Sequence, residues 1–325
     1  MYCEWFSTPE PDYGKLVSEL YGSEVGGALY RSYIEQLSSR ELWGHRLDWS
    51  GVGIYNQGAI TAHAVVQTTK DKPLVYIGFV ECVDDTAVAA FLMKTIQDEL
   101  RSQHPHRAVY IPVNLSIWHN YRFKVRGTDW LPFESPTKLY YAGLFSGFLP
   151  TKELYSSYRL KIPRFLVGAI ARTRIRPAAH PQYKLRNLSP DNHLRDMRII
   201  YDLSVQVFES DHSMPSFEEF QAIYQDVARS ADPRYILFAE EDGETVGFII
   251  AVKRAKKVYV KTLAVLPSHQ GRGVGRLLYD TLCAGALDDG CDTLYGLTMR
   301  NDRLITRLVP PGAKKVAEYV LYKDG

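Results

Sequence analysis

Three glycines within five residues, Gly271, Gly273 and Gly275, separate a β-branched run from a run with helical spacing. The run before them, Val258–Val265, reads as a strand that stops at Pro267. The run after them opens Arg276-Leu277-Leu278-Tyr279 and reads as a helix. Residues without a Cβ let backbone N–H groups converge on one point. The first N–H groups of a helix lack intrahelical partners and carry the positive end of its dipole. A strand-to-helix turn built this way suits a phosphate or pyrophosphate, with Arg272 and Arg276 adding charge. The order Q-G-R-G-V-G does not open a βαβ unit as the dinucleotide fingerprint does, and no Gly-Lys-Ser/Thr follows as in a Walker loop. A tight turn with glycines that pack a helix is the plain alternative.

The neighbouring elements narrow the choice. Helices are expected over Leu194–Phe208 and Phe217–Ala228, and strands over Arg234–Glu240 and Thr245–Val252, joined at Asp242-Gly243. Lys257–Leu266 reads as a strand, Gly273–Leu287 as a helix, Cys291–Leu297 as a strand, Asp302–Leu308 as a short helix and Val316–Tyr322 as a last strand. Upstream, Tyr13–Leu37 is helical with glycine interruptions, and Gly51–Ile60, His63–Thr69 and Leu74–Val83 read as strands. Thr86–Arg101 reads as a helix with Asp84 and Asp85 at its start, and Ala108–Ile117 as a strand at an edge or broken at Pro112. A connector ends near Pro163, with strands expected at Phe165–Arg172 and Tyr183–Leu188 on either side of a basic break. The strand-helix-strand order of Leu74–Ile117 repeats the middle of the C-terminal half, which suggests two related halves.

The 325 residues suffice for two cores, and 39 basic against 37 acidic residues leave a net charge of +2, which calls for neither nucleic acid nor an acidic membrane. No run of about 18 uncharged apolar residues is present, and the start of the chain does not read as a signal peptide. Cys3, Cys82, Cys283 and Cys291 fit no metal spacing, and so few cysteines point to a reducing, cytoplasmic setting.

The stretch Leu263-Ala264-Val265-Leu266-Pro267-x-x-Gln270-Gly271-Arg272-Gly273-Val274-Gly275 closely resembles the signature of the GCN5-related N-acetyltransferase (GNAT) superfamily, whose core Gln/Arg-x-x-Gly-x-Gly/Ala is matched by Gln270, Gly273 and Gly275. The resemblance covers about 183–325. It implies that Gln270–Gly275 and the helix start, through Arg276, hold the pyrophosphate of coenzyme A. It also implies a bulge around Leu263, Ala264 and Val265 whose backbone pairs with the pantetheine arm. Asn301 with Gly312 resembles the family's late Asn…Gly pattern. The N-terminal half is similar to the degenerate half of tandem members. Its junction Gly78–Asp85 lacks the glycine loop and would repel a pyrophosphate with two aspartates. Asn114–Arg122 and Pro132–Pro136 look like a bacterial branch of two-half members.

The resemblance leaves the proton-transfer groups open. The motif strand offers Lys261 and Thr262 where many members have a carboxylate, and Leu308 stands where many have a tyrosine near the thiol. Tyr319 or Tyr322 could substitute from the last strand, or each could be a packed aromatic. Glu209, Asp211 and His212 lie in the loop that borders the acceptor site in the resembling fold, although Ser216 with Glu219 also makes an ordinary capping box there. His104 and His106, the aromatics Trp118, Tyr121 and Trp130, the basic run Arg172–Lys184, and Cys283 with Cys291 have simpler structural readings.

The resulting expectation is a mixed α/β chain in tandem acyl-CoA N-acyltransferase form, with a central mixed sheet flanked by helices. A degenerate GNAT-like domain fills 1–164 and an acyl-CoA-binding acyltransferase domain fills 165–325. The cofactor is acetyl-CoA or another acyl-CoA, with no metal. The acceptor is a small-molecule amine or amino acid, and an acyl carrier protein or aminoacyl-tRNA is the alternative donor. DNA and membrane are not partners, and the chain is a monomer or homodimer. A non-catalytic acyl-CoA-binding module is the competing class.

Overall fold

The computed structural model describes residues 1–127, 130–162, 182–208, 212–230 and 232–324. The strand expected at Phe165–Arg172 and the basic break after it lie outside them, as does the 164/165 boundary.

The N-terminal half runs β1 (Tyr2–Phe6), α1 (Tyr13–Tyr21), α2 (Ser23–Ser38), α3 (Arg40–Trp43), β2 (Leu47–Asn56), β3 (Ala59–Thr69), β4 (Leu74–Cys82), α4 (Thr86–Gln103) and β5 (Ala108–Ile111). Short pieces follow, β6 (Val113–Asn114), β7 (Asn120–Tyr121), β8 (Phe123–Arg126) and α5 (Tyr141–Leu144), and then the long β9 (Thr151–Lys161). The C-terminal half runs β10 (Tyr183–Asn187), α6 (His193–Phe208), α7 (Phe217–Ser230), β11 (Ile236–Glu241), β12 (Glu244–Arg254), β13 (Lys257–Val265), α8 (Val274–Asp288), β14 (Thr293–Arg300) and β15 (Lys314–Asp324). The same order of strand, helices, hairpin, strand, helix and strand thus occurs twice.

Local chemistry sets these boundaries. Gly22, at φ +83°, breaks the expected Tyr13–Leu37 helix into α1 and α2. Asp242-Gly243 and Gln57-Gly58 both turn their hairpins with two successive positive φ angles. The strand expected over Gly51–Ile60 therefore ends at Asn56, because the Gln57-Gly58 turn lies inside it. Asp85 caps α4, its carboxylate accepting from the N–H groups of Ala87 (2.7 Å) and Val88 (3.2 Å).

One thirteen-stranded sheet runs through the molecule in the order β1-β2-β3-β4-β5-β15-β9-β14-β13-β12-β11-β10, with β8 also on β15. Neighbours are antiparallel except β4–β5 and β13–β14. The two long strands at the centre are exchanged. β15 lies beside β5 of the N-terminal half, and β9 lies beside β14 of the C-terminal half. They pair with each other from Lys314↔Arg159 to Lys323↔Thr151. Residues Thr151–Lys161, expected as connector, are therefore a central strand. The segment TKELYSSYRLK has little apolar alternation, and its buried Ser156 and Ser157 hide the pattern. β1 was likewise not expected; it is an exposed edge strand.

The apolar faces of α4 and α8 cover one side of each half, and α6 with α7 packs on the other side of the C-terminal half. Among the described residues no helix is long and apolar enough to cross a membrane. Arg46 ties the halves together. It forms a two-pronged pair with Glu219 on α7 (2.6 and 3.3 Å) and donates to the Leu115 carbonyl (3.0 Å). With the two side chains 4% and 2% exposed, the pair is fully desolvated. Arg46→Ala leaves a buried carboxylate uncompensated and is expected to cost about 3–5 kcal/mol in urea unfolding. A loss below about 1 kcal/mol would mean that the pair behaves as a surface ion pair.

Candidate active site

The site begins where two parallel strands part. β13 and β14 pair from Lys257↔Thr293 to Val260↔Gly296 and no further. Beyond that point β13 stays on β12 while β14 pairs with β9 at Met299↔Ser156 and Arg300↔Tyr155. The fork between them is open. On the β12 side the register shifts opposite Ile250 and Ala251, which pair with Thr262 and Val260. Lys261 is the extra residue of a bulge. The bulge expected around Leu263–Val265 thus lies earlier in the strand. The Leu266 N–H donates to the Val246 carbonyl (2.9 Å), so by strand alternation the backbone polar groups of Val265 point the other way, into the fork.

The glycine loop closes the outer end of the fork. Gly271 (φ +77°) and Gly273 (φ +90°, ψ −4°) occupy left-handed conformations that a side chain would strain. Gly273 is the N-cap of α8, and no side chain caps this helix. The first bond of the helix runs from the Leu277 N–H to the Gly273 carbonyl (2.9 Å), so the N–H groups of the first turn are left for a ligand. Gln270 braces the loop by donating from Nε2 to the Val265 carbonyl (3.0 Å). Gly275 is not forced by backbone conformation; a Cβ there would sit 3.5 Å from Leu263, in ordinary contact. Ala264 faces the core between the sheet and α6–α7. Arg276 lines the opening and is held by Asp280 (2.9 Å), whereas Arg272 is exposed and outside the lining. Asn301 is exposed and also outside it, with its N–H on the Leu154 carbonyl (2.9 Å).

Loop and fork open into a cavity of about 1340 Å³ whose walls come from both halves. Residues 197–306 match the model of the Acetyltransferase (GNAT) family. No curated protein matches the chain. Among solved structures, one similar chain is a fungal multi-domain GH3 β-N-acetylglucosaminidase with a GCN5-related glucosamine N-acetyltransferase region. The match has TM-score 0.56 at 11% identity, covering 99% of this chain and 38% of that one. A GCN5-related N-acetyltransferase from Sphaerobacter thermophilus matches with TM-score 0.51 at 15% identity, covering 98% of this chain and 95% of that one. A tandem GNAT protein from the clavulanic acid biosynthesis pathway matches with TM-score 0.51 at 11% identity, covering 99% and 98%. The chain has a GNAT-type fold.

The GNAT fork collects side chains that lie far apart in sequence. The Tyr319 hydroxyl meets Glu134 and sits 3.1 Å from Ser157 Oγ, which accepts the Thr298 N–H (2.9 Å) just past the last parallel pair. Lys124 pairs with the same Glu134 (2.9 Å) in a buried contact. Burial and then the Glu134 charge hold the Tyr319 phenol well above its usual range, so it stays protonated. Tyr322 is elsewhere. Its hydroxyl donates to the Ala142 carbonyl (2.6 Å) in the N-terminal core, which removes it from the site. His212 borders the cavity but is wedged between the halves. Its ring is 5.2 Å from that of Tyr110, and its carbonyl accepts from Lys72 (2.8 Å). Glu209 and Asp211 lie outside the described residues.

Sequence reasoning did not single out Glu134, His119 or Arg122 as site residues and passed over Lys261. The segment Asn114–Arg122 carries two of them, since it leaves the N-terminal half and packs Trp118 among Phe208, Phe220 and Tyr224 of the other half. Burial, then Arg46 and Lys261, lower the His119 imidazole to about 3, so it is neutral. Leu308 lines the cavity near Gly275. Among the described residues no group of three or more His, Cys, Asp and Glu is placed to hold a metal ion.

The corresponding fork of the N-terminal half is closed. β4 and β5 pair only from Leu74↔Ala108 to Tyr76↔Tyr110. The gap beyond is filled by the chain itself, for a Cβ on Gly78 would overlap the Val113 carbonyl. The Phe79 N–H is taken by Asn114 Oδ1 (2.7 Å), and Gln67 binds both the Val113 carbonyl (3.0 Å) and the Leu115 N–H (2.6 Å).

Burial lowers the Lys261 amine from 10.5 to about 8. Between those two values the unfolded chain binds more protons than the folded one, so folding stability gains as pH rises through the window. The stability of the parent protein relative to Lys261→Met is therefore expected to rise by about 3 kcal/mol from pH 8 to 10.5. Urea midpoints of both proteins at the two pH values test this, and a constant difference would place the amine in water.

Proposed function

We propose that the protein is an N-acyltransferase that moves an acyl group, acetyl in the simplest case, from a coenzyme A thioester to the primary amine of a small molecule by direct attack. One observation carries the reading: an uncapped helix N-terminus, preceded by two left-handed glycines, stands at the mouth of an open parallel fork. That combination suits a diphosphate at the loop and an extended arm along the fork. Gln270–Gly275 and Arg276 would hold the diphosphate, and the backbone edge around Val265, apart from the carbonyl that Gln270 occupies, would hold the arm. Bound acyl-CoA supplies the acyl group as an activated thioester. The family-model match to residues 197–306 supports transferase chemistry of the GNAT type.

The chain's own residues provide for the protons. Tyr319 keeps its proton and is the donor for the departing sulfur, in the role left vacant by Leu308. Glu134, which accepts from Tyr319 and pairs with Lys124, is the carboxylate proposed to take the proton of the attacking amine. The Val265 N–H points into the fork, where charge develops on a carbonyl oxygen. A hydroxyl at the fork favours catalysis over a module that only binds acyl-CoA. In this reading the N-terminal half, residues 1–164, binds no coenzyme. Its fork is filled, and Asp85 already occupies the α4 terminus. It serves as the opposite wall of the acceptor cavity in residues 165–325.

Native mass spectrometry with acetyl-CoA is expected to show one coenzyme per chain, and two would mean that the N-terminal half is competent. Gly273→Glu should raise the CoA dissociation constant at least about 100-fold by placing a charge and a strained residue at the helix start. Calorimetry showing unchanged affinity would remove the loop assignment. Tyr319→Phe should lower kcat for thiol release about 100-fold with CoA affinity intact, while Tyr322→Phe leaves kcat unchanged. Equal effects of the two substitutions would exclude Tyr319 as the proton donor.

A further inference from the structure

The inner end of the fork holds cations without counter-ions. Lys261, one residue past the last parallel pair Val260↔Gly296, is the bulged residue of β13. The bulge sends Lys261 and Thr262 toward the same ring. The Lys261 amine lies 4.0 Å from the centroid of Tyr224, and Thr262 Oγ1 is 3.1 Å from the Tyr224 hydroxyl. Phe133 covers the amine from a second side at 5.1 Å. Arg122, between β7 and β8, reaches the fork at β14, donating from Nη1 to the Thr298 carbonyl (3.1 Å). Its guanidinium is stacked on Tyr121 (3.5 Å) and Tyr155 (4.6 Å). Neither cation forms an ion pair with a described carboxylate. The nearby acids are committed elsewhere: Glu219 to Arg46, Glu134 to Lys124, and Glu153 to Arg300 and Lys323.

Charges taken out of water are ordinarily paired, so two cations left without a counter-ion at one fork describe the ligand they await. It must present oxygen and negative charge.

We propose that the acceptor is an amine that also bears an oxyanion, a carboxylate in the simplest case, held at the fork by Lys261 and Arg122. This inference rests on the acyltransferase reading of the same cavity and adds the class of acceptor to it. The coenzyme diphosphate is not the missing counter-ion. The loop begins beyond Val265, and Lys261 to Val265 in extended backbone spans roughly 13 Å. The lowered proton affinity of Lys261 agrees, since burial without a counter-charge destabilises the ammonium.

The test pairs each of the twenty common amino acids with its carboxamide, and 2-aminoethyl phosphate with 2-aminoethanol. Thiol release from acetyl-CoA is measured, together with protection of Lys261 from acetic anhydride labelling, read by peptide mass spectrometry without coenzyme. At least one acid is expected to exceed its neutral partner by roughly 30-fold or more in kcat/KM and to protect Lys261 where the partner does not. A preference in the phosphate pair alone would identify a phosphate as the oxyanion. Lys261→Met should bring the acid and neutral forms within about threefold while CoA affinity by calorimetry stays unchanged. Equal protection by acids and neutral partners, or none from any acid, overturns the inference. So does a preference that survives Lys261→Met. Failure of CoA to bind would overturn the acyltransferase reading instead, and the labelling result would still decide what Lys261 holds.

Discussion

The antiparallel pairing of β9 with β15 is the contact on which the rest of the architecture depends. Each strand completes a sheet that belongs mostly to the other half, β15 against β5 and β9 against β14. The ladder fixes the distance between the halves and hence the width of the cavity between them. It also places the fork chemistry, because Ser157 on β9 and Tyr319 on β15 meet across it and reach Thr298 on β14. Buried serines in the middle of a sheet would be costly without partners. Ser157 is satisfied by the very groups that mark the fork.

Two forks of the same topology have opposite fates. In the C-terminal half the strands diverge over empty space, and the helix beyond starts at left-handed glycines. In the N-terminal half Val113 to Leu115 occupy the divergence, and a carboxylate sits on the helix start. Electrostatics at one position decides much of this. A helix N-terminus already neutralised by its own aspartate offers little to an external anion, whereas a glycine N-cap leaves the partial charge exposed. The segment that fills the first fork continues into the second half, where Trp118 and Arg122 become walls of the open one. Closing one site and furnishing the other are consequences of a single stretch of chain.

The sequence made legible what is local. The glycine loop, the flanking strand and helix, the Asp242-Gly243 hairpin and the acidic start of α4 all rest on near-neighbour chemistry, and the structure places them as expected. The central strand β9 was not legible because TKELYSSYRLK lacks the apolar alternation that betrays a strand, and its burial comes from partners far along the chain. The bulge was displaced for a similar reason. It depends on how β13 registers with β12, and Lys261 gives no local sign of it. At the site, Tyr319 was one of two equal candidates, and only the hydroxyl partners separate it from Tyr322. Glu134 and Arg122 enter through tertiary contacts that no spacing rule anticipates.

The exchange of β9 and β15 also orders the birth of the molecule. The free edge of β5 has no permanent neighbour until every residue between Ile111 and Tyr322 has been added. An N-terminal half emerging from the ribosome can form its hairpins and bury α4, yet it must wait with an unsatisfied edge in what becomes the centre of the sheet. Such long-range closure slows folding and lends itself to pairing between nascent neighbours. The same strand that shapes the cavity therefore acts as a latch, one that withholds the finished fork until β15 has been made.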